Sequence, residues 1–312
     1  MRVNTYGLND IIPLDIKRKV RQRCGFGCVN CGSAVYQYEH VDPTFAEAIE
    51  HDPDCIVLLC GGCHDRVTRK ILSKETIKSR SNKPFCKQSG FSFGPFDIGL
   101  VEPTIKIGTL TCRSVESLIE IDGESIFSIK KPEFDGAPFL INAFLADRDG
   151  NEILKIVDNE WVTTIDNWDV EVVGPRIKIR RKLGDILLVI RTESPHSLII
   201  ERLDMEHRGV KITCREGENI EIVTRSGQIL KSSSMKINGS RIGIEITGNS
   251  LGIGVGGGNI YIGSMTMRSV QPTLPNIKQL RSRQEPLKKI RRNDACPCNS
   301  GKKYKKCCGF FR

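Results

Sequence analysis

Residues 58–70 read LLCGGCHDRVTRK, an apolar run, a Cys-Gly-Gly-Cys turn, a histidine and then basic residues. A turn of this kind aims two thiols at one point, which is half of a tetrahedral zinc site. The other half lies upstream in RQRCGFGCVNCGSAVYQYEH, residues 21–40, where Cys28 and Cys31 have the same spacing. Cys28, Cys31, Cys60 and Cys63 together make a four-thiolate structural zinc site, with Cys24 as an alternative to Cys28. Zinc held by four thiolates is coordinatively full, so it fixes shape without activating water. Chemistry then needs other groups. Glu39 and His40 end a strand-like run, and His64 follows the last cysteine at the start of a helix, so a zinc clip joining both turns brings His64 near the Glu39–His40 pair. Taken singly, each has a plainer role: His40 bonded to backbone, Glu39 on the surface, His64 as a spare zinc ligand.

The whole chain sets bounds on this site. With 312 residues and 39% hydrophobic content it is long enough for two or three domains with ordinary cores. No run approaches the roughly 20 apolar residues of a membrane helix, and the first residues lack the layout of a signal peptide, so a cytoplasmic protein with no membrane partner is expected. Thirteen cysteines, an odd number, fit metal ligation better than disulfides in a reducing compartment. Of the 47 Lys and Arg, 12 lie from Pro275 onward, against 2 of the 37 Asp and Glu, so the 35 of each that precede it cancel and the tail carries the whole +10 charge. Such a tail suits a polyanion or a solvated linker.

Composition divides the chain into a mainly β, multidomain protein. Residues 1–88 mix short helices with the Cys and His cluster. Asp15 is placed to cap a helix through IKRKVRQR and Ser73 one through KETIKSR. KPFCKQSGFSFG, residues 83–94, has the Pro and Gly content of a linker. Residues 95–270 read as an all-β domain, a sandwich or a solenoid-like coil of short strands. Asp122-Gly123 and Asp149-Gly150 each stand between apolar runs, a strong hairpin signal. LGIGVGGGN, residues 251–259, has no helix pattern after it and reads as a strand turn rather than a phosphate loop. Residues 271–294 form a basic linker, and residues 295–312 a second cysteine cluster.

At the N-terminus, Cys28-x-x-Cys31, Glu39-His40 and Leu59-Cys60-x-x-Cys63-His64 resemble the zinc-supported HNH endonuclease domain, with its α+β ββα-metal core, over roughly residues 15–80. The resemblance implies that His40 is the general base on water and that Glu39 and His64 hold a catalytic divalent metal, Mg²⁺ or Mn²⁺, beside the structural zinc. It also places Cys55 where the family often has Asn, a residue that braces the loop of the base or helps at the metal. Asp54 is a nearby carboxylate able to compensate, and His51 is a second candidate ligand. Arg66, Arg69 and Lys70 lie beyond His64, and Lys17, Arg18, Lys19, Arg21 and Arg23 lie on the preceding helix; both groups can hold a phosphate backbone or form a solvated basic face.

NDACPCNSGKKYKKCCG, residues 293–309, resembles the SEC-C zinc module, with Cys296, Cys298, Cys307 and Cys308 as ligands of a second structural zinc. That resemblance implies a bacterial origin and a docking role. Two functions are compatible with these motifs. One is a metal-dependent DNA endonuclease, with defence against foreign DNA as a setting implied by resemblance; the other is a catalytically degenerate zinc protein that binds nucleic acid or a protein. Double-stranded DNA is the expected nucleic acid, and a protein partner would dock through the C-terminal module or the β domain.

Overall fold

The computed structural model describes residues 2–269 together with 293, 303 and 306. The described residues up to Ser269 fall in the first of two units of the chain. Cys296, Cys298, Cys307 and Cys308, and the linker expected at 271–294, lie outside the described residues, apart from Asn293.

The first unit begins with a small helical lobe: α1 (Leu14–Cys24), the strands β1 (Gln37–His40) and β2 (Ile56–Leu59), then α2 (Gly61–Thr68), α3 (Lys74–Asn82) and α4 (Phe85–Ser89). β1 and β2 pair antiparallel, with Glu39 opposite Val57 and His40 opposite Ile56. Their apolar side chains, with Val20 of α1 and Ile77 of α3, close a small core of their own. Ser73 caps α3 as expected, its Oγ accepting from Thr76 N–H at 3.1 Å. Asp15 does not cap α1. Pro13 takes the cap position, and Asp15 sits in the first turn, where its charge complements the unpaired N–H groups of the helix end.

The segment 83–94 is not a linker. α4 fills half of it and β3 (Phe91–Pro95) most of the rest. Its glycines serve geometry: Gly90 ends α4 at φ 88°, and a Cβ on Gly94 would lie 2.9 Å from the buried Trp161 ring. Cys86 and Ser92 are fully buried. The helical lobe and the β region therefore join through ordered elements.

The β region contains β4 (Thr104–Ile107), β5 (Leu110–Arg113), β6 (Ser117–Ile121), β7 (Glu124–Lys130), β8 (Leu140–Ala146) and β9 (Glu152–Val157). It continues with β10 (Glu160–Thr164), β11 (Asp169–Val173), β12 (Arg176–Lys182), β13 (Asp185–Glu193), β14 (Ser197–His207) and β15 (Val210–Arg215). β16 (Ile220–Val223), β17 (Gln228–Asn238), β18 (Ile242–Thr247), β19 (Ser250–Val255) and β20 (Asn259–Ser269) complete it. Eight strands form one sheet in the order β19-β18-β6-β7-β8-β9-β10-β3, and ten form another. One apolar core draws on both sheets, so the body is a two-sheet sandwich rather than a solenoid.

In the ten-stranded sheet, β14 pairs with β4 through Ser197–Ile200 and with β15 through Arg202–His207. β17 likewise pairs with β16 through Ile229–Ser232 and with β5 through Met235–Asn238. Two hairpins, β4–β5 and β15–β16, thus lie end to end between two long strands. Their tips meet where Ile220 N–H donates to Thr109 Oγ1 at 3.3 Å, and the same hydroxyl donates to the Ser232 carbonyl of β17 at 2.6 Å. The turn at Asp122-Gly123 adopts positive φ at both residues, 49° and 78°, as a tight hairpin requires. Gly256, Gly257 and Gly258 also have positive φ and turn β19 into β20, so LGIGVGGGN is a strand turn. Among the described residues no helix is long and apolar enough to cross a membrane.

The lobe is fastened to the sandwich by buried charge. Arg21, 2% exposed, donates from Nε and Nη2 to both oxygens of the fully buried Asp169 on β11, each at 2.8 Å. Arg180 Nη1 reaches the same carboxylate at 2.7 Å, and Arg21 Nη1 donates to Tyr38 Oη at 2.9 Å. Bidentate geometry at a dry site makes such a pair hard to break one partner at a time. The other α1 cations are also engaged: the Arg18 guanidinium lies 5.1 Å from the centre of the Trp168 ring, Lys17 Nζ 5.5 Å from that of Tyr38, and Arg23 donates to the Pro53 and Ile56 carbonyls. Of the five, Lys19 alone is exposed with no ion pair among the described residues. Four of the five basic side chains of α1 thus have partners within the protein, Arg21 in full burial. Asp169→Ala, which removes the bidentate partner of the buried Arg21 guanidinium, is expected to cost about 3–5 kcal/mol. Thermal unfolding of the full chain checks this; a change under about 1 kcal/mol would mean that the network contributes little.

Candidate metal centre and its histidines

The two Cys-x-x-Cys turns converge. The donor atoms of Cys28, Cys31, Cys60 and Cys63 all lie within 4.8 Å of one another, the one such group of three or more metal donors among the described residues. Cys31 Sγ is 3.5 Å from Cys60 Sγ and 3.8 Å from Cys63 Sγ. Sulfurs at the corners of a tetrahedron with zinc–sulfur bonds near 2.3 Å are about 3.8 Å apart, so the site has the geometry to hold a zinc ion. Asn30 Nδ2 donates to Cys63 Sγ at 3.3 Å and Cys63 N–H to Cys60 Sγ at 3.4 Å, the outer hydrogen bonds that orient metal thiolates. The choice between Cys24 and Cys28 is settled, since Cys24 stands outside the group as a core thiol, pushed up to about 11 by burial. Within the group, a hydrogen bond from Cys31 holds Cys28 down to about 5, and burial pushes Cys63 up to about 11.

The clip positions α2 and its first residues. Cys60 is the N-cap of this helix, so Cys63 and His64 occupy its first turn, next to the end of β2. Glu39, on the strand paired with β2, reaches across, and its Oε2 lies 3.3 Å from His64 Nε2. Both side chains are open to solvent, at 25% and 37% exposure, so a hydrated ion can reach them. His64 is directed at Glu39, and it is not a member of the cysteine group.

His40 faces elsewhere, as consecutive strand residues do. Its side chain is buried, packs 5.5 Å from the centre of the Phe45 ring, and places Nε2 at 3.2 Å from His51 Nδ1. No hydrogen bond joins His40 to Glu39 or His64 among the described residues. Burial, aided by the neighbouring His51, pushes the His40 imidazole down to about 4, so it is neutral near pH 7. The loop Thr44–Ala48 is pinned by Asn4, whose Nδ2 donates to the Phe45 and Ala48 carbonyls, each at 2.6 Å.

Cys55 braces the same region through its backbone, its carbonyl accepting from Val41 N–H at 2.9 Å, while its thiol turns to Asp52 Oδ2 at 3.4 Å. Asp54 faces solvent and Arg23, its side chain 83% exposed and 3.7 Å from Arg23 Nε. His51 is likewise a partner of His40 and is not grouped with Glu39 and His64. Arg66 is exposed on α2, Arg69 caps the helix and pairs with Asp65 at 3.0 Å, and Lys70 lies just past it in the left-handed region at φ 61°. The Arg21–Asp169 lock and the His40–His51 pair escaped sequence reasoning, because each joins residues with no shared local pattern.

Comparison with known proteins finds one family. Residues 292–310 match the SEC-C motif. The same end of the chain is 80% identical over 25 residues to a protein translocase subunit SecA of Thermodesulfovibrio yellowstonii, covering 8% of this chain and 3% of that protein. It is 86% identical over 22 residues to SecA of Syntrophomonas wolfei, covering 7% and 3%, and 66% identical over 32 residues to SecA of Maridesulfovibrio salexigens, covering 10% and 4%. The chain therefore spans only a few per cent of the length of these relatives. No solved structure matches it.

Proposed function

We propose that the N-terminal lobe is a metal-dependent endonuclease of the HNH kind that hydrolyses the phosphodiester backbone of double-stranded DNA. The observation that carries this reading is the 3.3 Å approach of Glu39 to His64 beside a four-cysteine clip. One carboxylate and one imidazole would hold Mg²⁺ or Mn²⁺ and leave most of the shell to water and a phosphate oxygen. When bound, such a cation would neutralise charge growing on the scissile phosphate and the departing 3′ oxygen. Neutral His40 would take the proton from the attacking water. Arg66, Arg69 and Lys70, exposed in and just beyond α2, would hold the backbone without base preference. The SEC-C segment, as a second zinc module held by Cys296, Cys298, Cys307 and Cys308, or the β body would provide docking to a protein partner.

The expected result with supercoiled plasmid is nicking when Mg²⁺ or Mn²⁺ is added and none when both are omitted. A zinc-loaded chain that retains plasmid without ever nicking it would overturn the proposal. It would instead favour a degenerate zinc protein that binds nucleic acid or a protein, the reading that Cys55 in the Asn position supports. Cys55→Asn separates the two. Under the proposal the wild type already cuts and the variant cuts at least as well, whereas in a degenerate protein cutting arises only in the variant.

A further inference from the structure

We propose that His51 is a positioning residue that fixes the tautomer of His40. This inference rests on the reading of His40 as the base. A neutral imidazole carries one proton on two nitrogens, and the hydrogen bond made by one nitrogen decides which of them is free to accept. His40 Nε2 is engaged by His51 Nδ1 at 3.2 Å, and among the described residues His40 Nδ1 has no hydrogen-bond partner. Nδ1 is therefore the nitrogen left for water. It accepts a proton only if the ring's own proton sits on Nε2, which requires His51 Nδ1 to be the acceptor.

The surroundings of His51 agree with a fixed role. Its ring lies 5.3 Å from that of His40, and it comes shortly after the loop Thr44–Ala48 that Asn4 pins. With Nδ1 accepting, its own proton stands on Nε2, and that atom is buried with no protein partner. Among the described residues His51 makes no hydrogen bond to Glu39 or His64, so its effect on the reaction is taken through His40.

The test uses the zinc-loaded full chain with ¹⁵N-labelled histidine. Five histidines keep its long-range ¹H–¹⁵N spectrum assignable. His40 is expected as the Nε2–H tautomer in the wild type and as a mixture of tautomers in His51→Ala. His51→Asn, whose side-chain oxygen can accept the same hydrogen bond, is expected to restore the single tautomer and guards against a general loss of fold. In plasmid cleavage, His51→Ala is expected to lose about 10–100-fold in kcat with KM unchanged, and His51→Asn to recover most of it. His40 protonated on Nδ1 in the wild type, or the same single tautomer in His51→Ala, overturns the inference. A wild type that never cuts but shows the predicted tautomers removes the nuclease reading and leaves the lock standing; a cutting wild type with His40 protonated on Nδ1 does the reverse.

Discussion

Cys63→Ser is expected to release one equivalent of zinc relative to the wild type and to unfold the N-terminal lobe. The lobe's own core is small, a four-residue strand pair and the inner faces of short helices, and α2 has only eight residues. A helix that short is not stable by itself in water. Structural zinc contributes on the order of 10–16 kcal/mol in small domains, so removing one of four thiolates takes away much of what holds α2 against β2. His64 then has no fixed place beside Glu39. Zinc content, helical circular dichroism and proteolysis of residues 14–82 report the three consequences separately. Unchanged zinc stoichiometry together with an unchanged melting curve would show that the four cysteines are plain core residues.

The second large effect concerns the proposed base. His40→Ala is expected to reduce metal-dependent plasmid cleavage by about 10²–10⁴-fold, the usual contribution of a positioned general base. Mn²⁺ affinity should stay near that of the wild type, because Glu39 and His64 are untouched. His40 is buried, so part of any loss could come from a cavity. His40→Gln keeps the volume and a polar end while lacking a basic nitrogen, and it should be as inactive as His40→Ala while melting near the wild type. Equal cutting by wild type and both variants would move the base elsewhere.

Much of this site was legible because its parts are local. A Cys-x-x-Cys turn closes within four residues, and two of them can meet at only one metal, so the clip could be read before the fold. The strand after the first turn and the helix that begins at the second bring Glu39 to His64 almost as a corollary. Ser73 and the Asp122-Gly123 turn were readable for the same reason, since a cap and a tight hairpin depend on neighbours in sequence. The direction of His40 was not. Strand alternation turns it from Glu39 toward a loop whose path depends on Asn4, 36 positions upstream.

Elements set by distant partners stayed hidden. Residues 83–94 carry the Pro and Gly of a linker, and only the Trp161 ring across the β3–β10 pair explains why Gly94 has no side chain. Arg21 reads as one of five basic residues on a helix until Asp169, 148 positions away, meets it. The sandwich likewise depends on β4 and β5 entering the sheet in line with β15 and β16, a register that no short pattern announces.

The measurement that bears most directly on the metal centre is a Mn²⁺-soaked crystal examined by anomalous scattering at the manganese edge. The account predicts a manganese peak at the Glu39–His64 pair, the residues that would hold it, distinct from zinc at the four cysteines. An ordered Glu39–His64 pair that stays in direct contact, with no manganese between its atoms at a saturating concentration, would contradict it.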